Sequence, residues 1–122
     1  MYLIDSNIIV YSYLPEYKYL RSLFIEESVF VSEISRVEVL GYHKLTNAEE
    51  SYFEDIFSFI PNISPSRQIF DTAISIRKRY NLKLGDSLIA ATASVNNLTI
   101  YSRNLSDFEK IDNVKCINPI SL

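Results

Sequence analysis

The chain has 122 residues, 48% hydrophobic and 22% charged, a balance that excludes a disordered polymer and allows one domain with its own core. A single cysteine, Cys116, and a single histidine, His43, exclude an internal disulfide and a cysteine zinc cluster and leave no material for a histidine-assisted nucleophile. The net charge of -3 opposes non-specific nucleic-acid binding, which favours a basic excess, but acids that bind metal lower the charge of the metal-free chain and the ion reverses its local sign.

Tyr2-Leu3-Ile4 reads as a short buried strand ending at Asp5. Asn7 to Leu14 reads as a helix stopped by Pro15, and Tyr17 to Glu27 as a second helix. Val29-Phe30-Val31 is the next strand. Ser35 stands as an N-cap before Arg36-Val37-Glu38-Val39-Leu40, and His43 is read as a surface helix residue. Phe53, Ile56, Phe57 and Ile60 recur at helical spacing and predict an amphipathic helix over 47–60. Pro61 and Pro65 bound a break. Ser66 then caps a helix whose apolar face carries Ile69, Ala73, Ile76 and Tyr80.

The basic run Arg77-Lys78-Arg79, with Lys83, reads as a solvated helix end favoured by the helix dipole, with phosphate contact as the other reading. Asp86 opens a nearly all-apolar helix, Ser87 to Val95, which must be buried on most sides. Leu98-Thr99-Ile100-Tyr101 is a strand. Val114-Lys115-Cys116-Ile117 is the last, closed by Pro119. Short apolar strands alternating with helices predict an α/β fold with a parallel sheet. In such sheets chemistry lies beyond the carboxyl ends of the strands. That rule singles out Asp5 and Ser6, and Ser102-Arg103-Asn104. No basic run precedes the N-terminal apolar stretch, and no apolar stretch approaches the roughly 20 residues of a membrane span. The expectation is a soluble, cytoplasmic single domain over 1–122.

Asp5, Glu38, Asp86 and Asp107 sit where strands end or helices begin. Each has an ordinary explanation. Asp5 and Asp86 suit N-caps, Glu38 has capping-box spacing from Ser35, and Asp107 suits a short turn. If the four converge, they repel one another unless cations hold them together. All-oxygen ligands select Mg²⁺ or Mn²⁺ over zinc. The tyrosines Tyr11, Tyr13, Tyr17 and Tyr19 read as helix packing, with a partner surface as the alternative.

Four blocks of sequence resemble the PIN-domain family. Met1 to Tyr11, with Asp5-Ser6 after the first strand, resembles the family's opening. Val31 to Leu40 is similar to its second block, ending on Glu38. Leu84-Gly85-Asp86-Ser87-Leu88-Ile89-Ala90-Ala91-Thr92-Ala93 is similar to the third. Ile100-Tyr101-Ser102-Arg103-Asn104-Leu105-Ser106-Asp107-Phe108 is similar to the fourth, with Ser102 in place of the usual threonine. The resemblance implies a three-layer fold with about five parallel strands between helices. It implies that Asp5, Glu38, Asp86 and Asp107 share one Mg²⁺ or Mn²⁺ pocket, supported by Ser6, Asn7, Ser102 and Asn104, with Arg103 as a candidate phosphate contact. The VapC-like toxins of this family cleave RNA, are inhibited by a cognate antitoxin and commonly form homodimers. In them an antitoxin segment lies in a groove and can place a basic side chain in the acidic pocket. A PIN nuclease of RNA processing, a phosphoacceptor domain and a non-catalytic binding module remain open readings.

Overall fold

The computed structural model describes residues 1–120. Residues 121 and 122, which the single-domain expectation includes, lie outside the described residues. The strands are β1 (Tyr2–Ile4), β2 (Val29–Ser32), β3 (Asn62–Ile63), β4 (Thr99–Tyr101) and β5 (Cys116–Ile117). The helices are α1 (Ser6–Ser12), α2 (Glu33–Leu40), α3 (Asn47–Phe59), α4 (Arg67–Tyr80), α5 (Leu84–Asn96) and α6 (Leu105–Phe108). The strands form one five-stranded sheet in the order β3-β2-β1-β4-β5, and every pairing is parallel.

Side chains alternate across a strand, and the sequence uses this to build a core on each face. Leu3 and Ile100 pack on one side with Leu88, Ile89, Ala90 and Phe108, against α4, α5 and α6. Ile4 and Tyr101 pack on the other side with Ile8, Ile9, Val39, Phe53 and Phe57, against α1, α2 and α3. The apolar α5 lies against α4, and Leu88 to Ala91 are buried with Ala93. The three-layer α/β fold expected from the sequence is present.

Local details differ from the sequence reading. The expected helix over 17–27 is a run of 3₁₀ turns, Pro15–Ile25, kinked at Tyr17. Proline at its first position sets the entry, while Leu20 and Phe24 stay buried, so the tertiary anchors survive the change of turn. The strand β3 falls in the expected break between Pro61 and Pro65. It has two residues, too few to show a period, and pairs as Val31 with Asn62 and Ser32 with Ile63. The N-cap of α2 is Ser32 rather than Ser35: Ser32 Oγ accepts from the Ile34 backbone at 3.0 Å. β2 runs straight into α2, which leaves Ser35 inside the first turn, buried and with no partner for its hydroxyl among the described residues. The capping box belongs instead to α3, between Thr46 and Glu49. His43 lies in an exposed turn after α2, not in a helix. Ser66 caps α4 as expected, and Arg77, Lys78 and Arg79 form its last turn. Among the described residues no helix is long and apolar enough to cross a membrane.

Candidate active site at the carboxyl ends of the central strands

The order β3-β2-β1-β4-β5 reverses direction between β1 and β4, and an open parallel sheet leaves a crevice at that point. Asp5 follows β1 and Ser102 follows β4, so both stand at the mouth of the crevice. Asp5 is the N-cap of α1, its Oδ1 accepting from the Ser6 backbone at 2.8 Å. The ordinary reading of this acid is therefore correct, but only for one of its oxygens. The other, Oδ2, accepts from Ser102 Oγ at 2.8 Å and from Asn7 Nδ2 at 3.2 Å. Asn7 Oδ1 in turn accepts from the Arg103 backbone at 3.1 Å, which ties the start of α1 to the loop after β4.

Asp5 is only 5% exposed and has no cation paired with it among the described residues. Burial pushes its pKa up to about 6, opposed by the hydrogen bonds from Ser102 and Ser6 and reinforced by the charges of Asp86 and Glu38. The carboxyl of Asp86 is also raised, first by burial and then by Asp107 and Glu38, with Lys83 acting in the opposite direction. Each raised acid feels at least two others, so the charges converge on Asp86.

The remaining members are placed by neutral side chains. Glu38 is exposed on α2, and its Oε1 accepts from Ser6 Oγ at 2.8 Å. Its second oxygen lies where a side chain on Gly85 would be: a Cβ there would meet Glu38 Oε2 at 2.9 Å. Asn104 Nδ2 reaches Asp107 Oδ2 at 3.0 Å and Asp86 Oδ2 at 3.4 Å, bridging α6 and α5. Asp107 also faces Lys110 Nζ at 3.5 Å. Asp86 does not open its helix. Lys83 is the N-cap without a side-chain hydrogen bond, and Asp86 is the third residue of α5, where the helix dipole favours a carboxylate.

Thus Asp5, Glu38, Asp86 and Asp107 are joined by hydrogen bonds through Ser6, Asn7, Ser102 and Asn104. Arg103 is apart. Its side chain turns outward to Tyr11, donating to the phenol oxygen and lying 5.1 Å over the ring. Among the described residues no three acidic, histidine or cysteine side chains form a closed ligand set. The donors are all carboxylate oxygens, whose charge is only partly balanced by Lys83 and Lys110, the chemistry that suits a hard cation such as Mg²⁺ or Mn²⁺. Sequence reasoning missed the space that Gly85 leaves for Glu38, and the lysine Lys110; Lys83 it named only within the basic run. One of only two glycines standing directly before Asp86 was the available signal.

Gly85 yields a prediction that separates stability from activity. The Glu38 carboxylate can swing aside, and alanine favours a helix over glycine by up to about 1 kcal/mol. Gly85→Ala should not lower the melting temperature but should reduce catalysis by displacing Glu38. A drop in melting temperature with full activity would refute this role.

A family model for the PIN domain matches residues 2–114. The chain belongs to the PIN-domain family, a class of nucleases. A chain of a toxin–antitoxin complex from Klebsiella pneumoniae is similar with a TM-score of 0.80 and 27% identity, covering 100% of both chains. A chain of DNA-bound VapBC from Salmonella typhimurium is similar in fold, with a TM-score of 0.81, 19% identity, and 95% and 96% of the two chains covered. The same holds for VapBC2 from Rickettsia felis bound to a promoter DNA fragment, at 0.79, 22%, 96% and 97%. No curated protein gave a significant sequence match.

Proposed function

We propose that the chain is a metal-dependent endoribonuclease of the VapC-like toxin type, a single PIN domain over 1–122 acting in the cytoplasm and held in check by a cognate antitoxin. The observation that carries the reading is a buried carboxylate, Asp5, without a paired cation among the described residues, at the switch point of a parallel sheet and within reach of the charges of Asp86 and Glu38.

Asp5 and Asp86 would be the main ligands for Mg²⁺ or Mn²⁺, Glu38 would hold the ion or its water, and Asp107 would complete the set. When bound, the ion supplies a lower pKa for water and positive charge for the leaving oxygen. The chain's own residues orient these groups. Ser102 and Asn7 fix one oxygen of Asp5, Ser6 fixes one oxygen of Glu38, and Asn104 holds Asp86 and Asp107 together. Asp107 is the least committed member because Lys110 already balances part of its charge. Arg103 is the phosphate contact, offering a cation that no acid neutralises among the described residues.

The antitoxin reading has a place on the surface. A groove is lined by Val10, Val39, Tyr42, Leu45 and Phe53 together with Glu38 and Glu49. It suits a segment with an apolar face and a basic side chain directed to the acids. The homodimer reading rests on the face of α4 and α5, where Phe70, Ile74 and Leu84 are 46%, 54% and 61% exposed around one apolar groove.

The test of function is incubation of the purified chain with single-stranded RNA. Internal cleavage should appear with magnesium or manganese and stop with EDTA. Cleavage that persists in EDTA, or none with either metal, would overturn the reading. For the dimer, Ile74→Glu should shift the sedimentation coefficient to that of a monomer; a wild type already monomeric would remove it.

A further inference from the structure

The chain has six arginines, and five are engaged in ways that explain their presence. Arg36, Arg67 and Arg79 pair with Glu33, Asp71 and Asp112. Arg21 donates to the carbonyls of Ser12 and Tyr13, and Arg77 to that of Leu82. Arg103 is different. Its guanidinium meets neither a carboxylate nor a backbone carbonyl among the described residues, and the partner that holds it is Tyr11.

Tyr11 grips it in two ways. The phenol oxygen accepts from one terminal nitrogen, and the ring lies under the guanidinium carbon at 5.1 Å. Tyr11 is itself braced: Tyr17 meets it edge to face, with ring centroids 5.0 Å apart. The Arg103 backbone is pinned by Asn7, which also donates to Asp5. These residues border an open recess of about 360 Å³ lined by Asn7, Tyr11, Arg103 and Asn104. Two of its walls, Asn7 and Asn104, donate to the acids Asp5, Asp86 and Asp107. A fixed cation with free donors thus stands one side chain away from a cluster of negative charge.

We propose that Tyr11 is a positioning residue that holds Arg103 to receive the phosphate next to the scissile one in single-stranded RNA, with the adjoining base stacking on the outer face of the guanidinium. This rests on the ribonuclease reading above. A metal ion on the carboxylates serves the scissile phosphate, so the neighbouring phosphate needs a cation of its own. Guanidinium planes serve both a phosphate edge and a base face. Tyr11 consumes one donor and its ring lies beneath the guanidinium carbon, leaving the remaining donors for the strand.

The test measures binding on an Asp86→Asn background, so that it does not depend on turnover. Anisotropy of a short fluorescein-labelled single-stranded RNA is followed against salt, with magnesium present. Arg103→Met should weaken binding and reduce the slope of log affinity against log salt by about 0.7, the loss of one phosphate contact on a single strand. Tyr11→Leu should reproduce that slope change, because it frees Arg103. Tyr11→Phe, which keeps the ring and the packing, should keep most of the slope. The double variant Arg103→Met with Tyr11→Leu should be no worse than Arg103→Met alone. An unchanged slope in Arg103→Met, additive losses in the double variant, or no RNA binding by the background protein would overturn the proposal. Binding that behaves as described beside a wild type that fails to cleave would instead remove the ribonuclease reading and leave this subsite standing.

Discussion

Replacing Asp86 or Asp5 by asparagine should lower RNA cleavage by more than about 100-fold, since even the partners of metal ligands cost 10- to 100-fold when removed. Asp86 is the acid on which the other charges converge, raised first by burial and then by Asp107 and Glu38. Asp5 is the buried member, fixed at both oxygens by Ser6, Ser102 and Asn7. Asparagine at either position keeps the size of the side chain but removes the charge. Glu38→Gln should follow with a smaller loss, because the side chain is exposed and held by Ser6 through one oxygen. Asp107→Asn should cost least, because Lys110 already faces that carboxylate at 3.5 Å. Initial rates at saturating manganese check the order. Equal losses at all four positions, or a larger loss at Asp107 than at Asp86, would contradict the assignment.

The second large effect is on stability against pH. The pKa of Asp5 is raised from 3.8 to about 6 in the folded chain, so between those values the folded state holds more proton than the unfolded one. Its stabilising contribution is complete below the lower value and is lost as pH rises through the upper one. Roughly two units correspond to up to about 3 kcal/mol. Asp86 is raised as well and acts with the same sign. Denaturant unfolding in EDTA should therefore show stability increasing as pH falls through about 6. A bound divalent ion favours the ionised carboxylates, so its stabilisation should run the other way and fade over the same window. Metal-free stability that falls throughout that window would show that the charge of Asp5 is not the strained element.

The sequence revealed the strands that carry an apolar run, and these fix the sheet around β1, β2 and β4. It hid β3, because two residues between prolines carry no period and become a strand only by pairing with Val31 and Ser32. It also misplaced the cap of α2. Ser32 and Ser35 are both acceptable caps, and the choice is made by how directly β2 enters the helix. The three-residue spacing from Ser35 to Glu38 suggested a local partnership, yet Glu38 finds Ser6, far away in sequence. Aromatic and proline content could not separate a 3₁₀ run from a helix over 15–25, since the anchors Leu20 and Phe24 serve both.

At the site, residue types and positions at strand ends were legible, while convergence came from the family resemblance. The structure adds the means of that convergence. Neutral donors hold the acids in place, Asn7 linking Asp5 to the loop of Arg103, and Asn104 linking Asp86 to Asp107. Such links join residues up to 97 positions apart and leave no local sequence pattern. The outward turn of Arg103 onto Tyr11 was hidden for the same reason. The tyrosines looked like helix packing, and Tyr17 indeed packs on Tyr11, but one ring also serves as the seat of a cation.

The central claim is that these carboxylates form one cation site. Calorimetric titration of manganese into the wild type, Asp5→Asn and Asp86→Asn at neutral pH tests it directly. Saturable binding by the wild type that is lost or greatly weakened in both variants is the predicted result. Wild-type binding that persists unchanged in both, or no binding by the wild type, would contradict it.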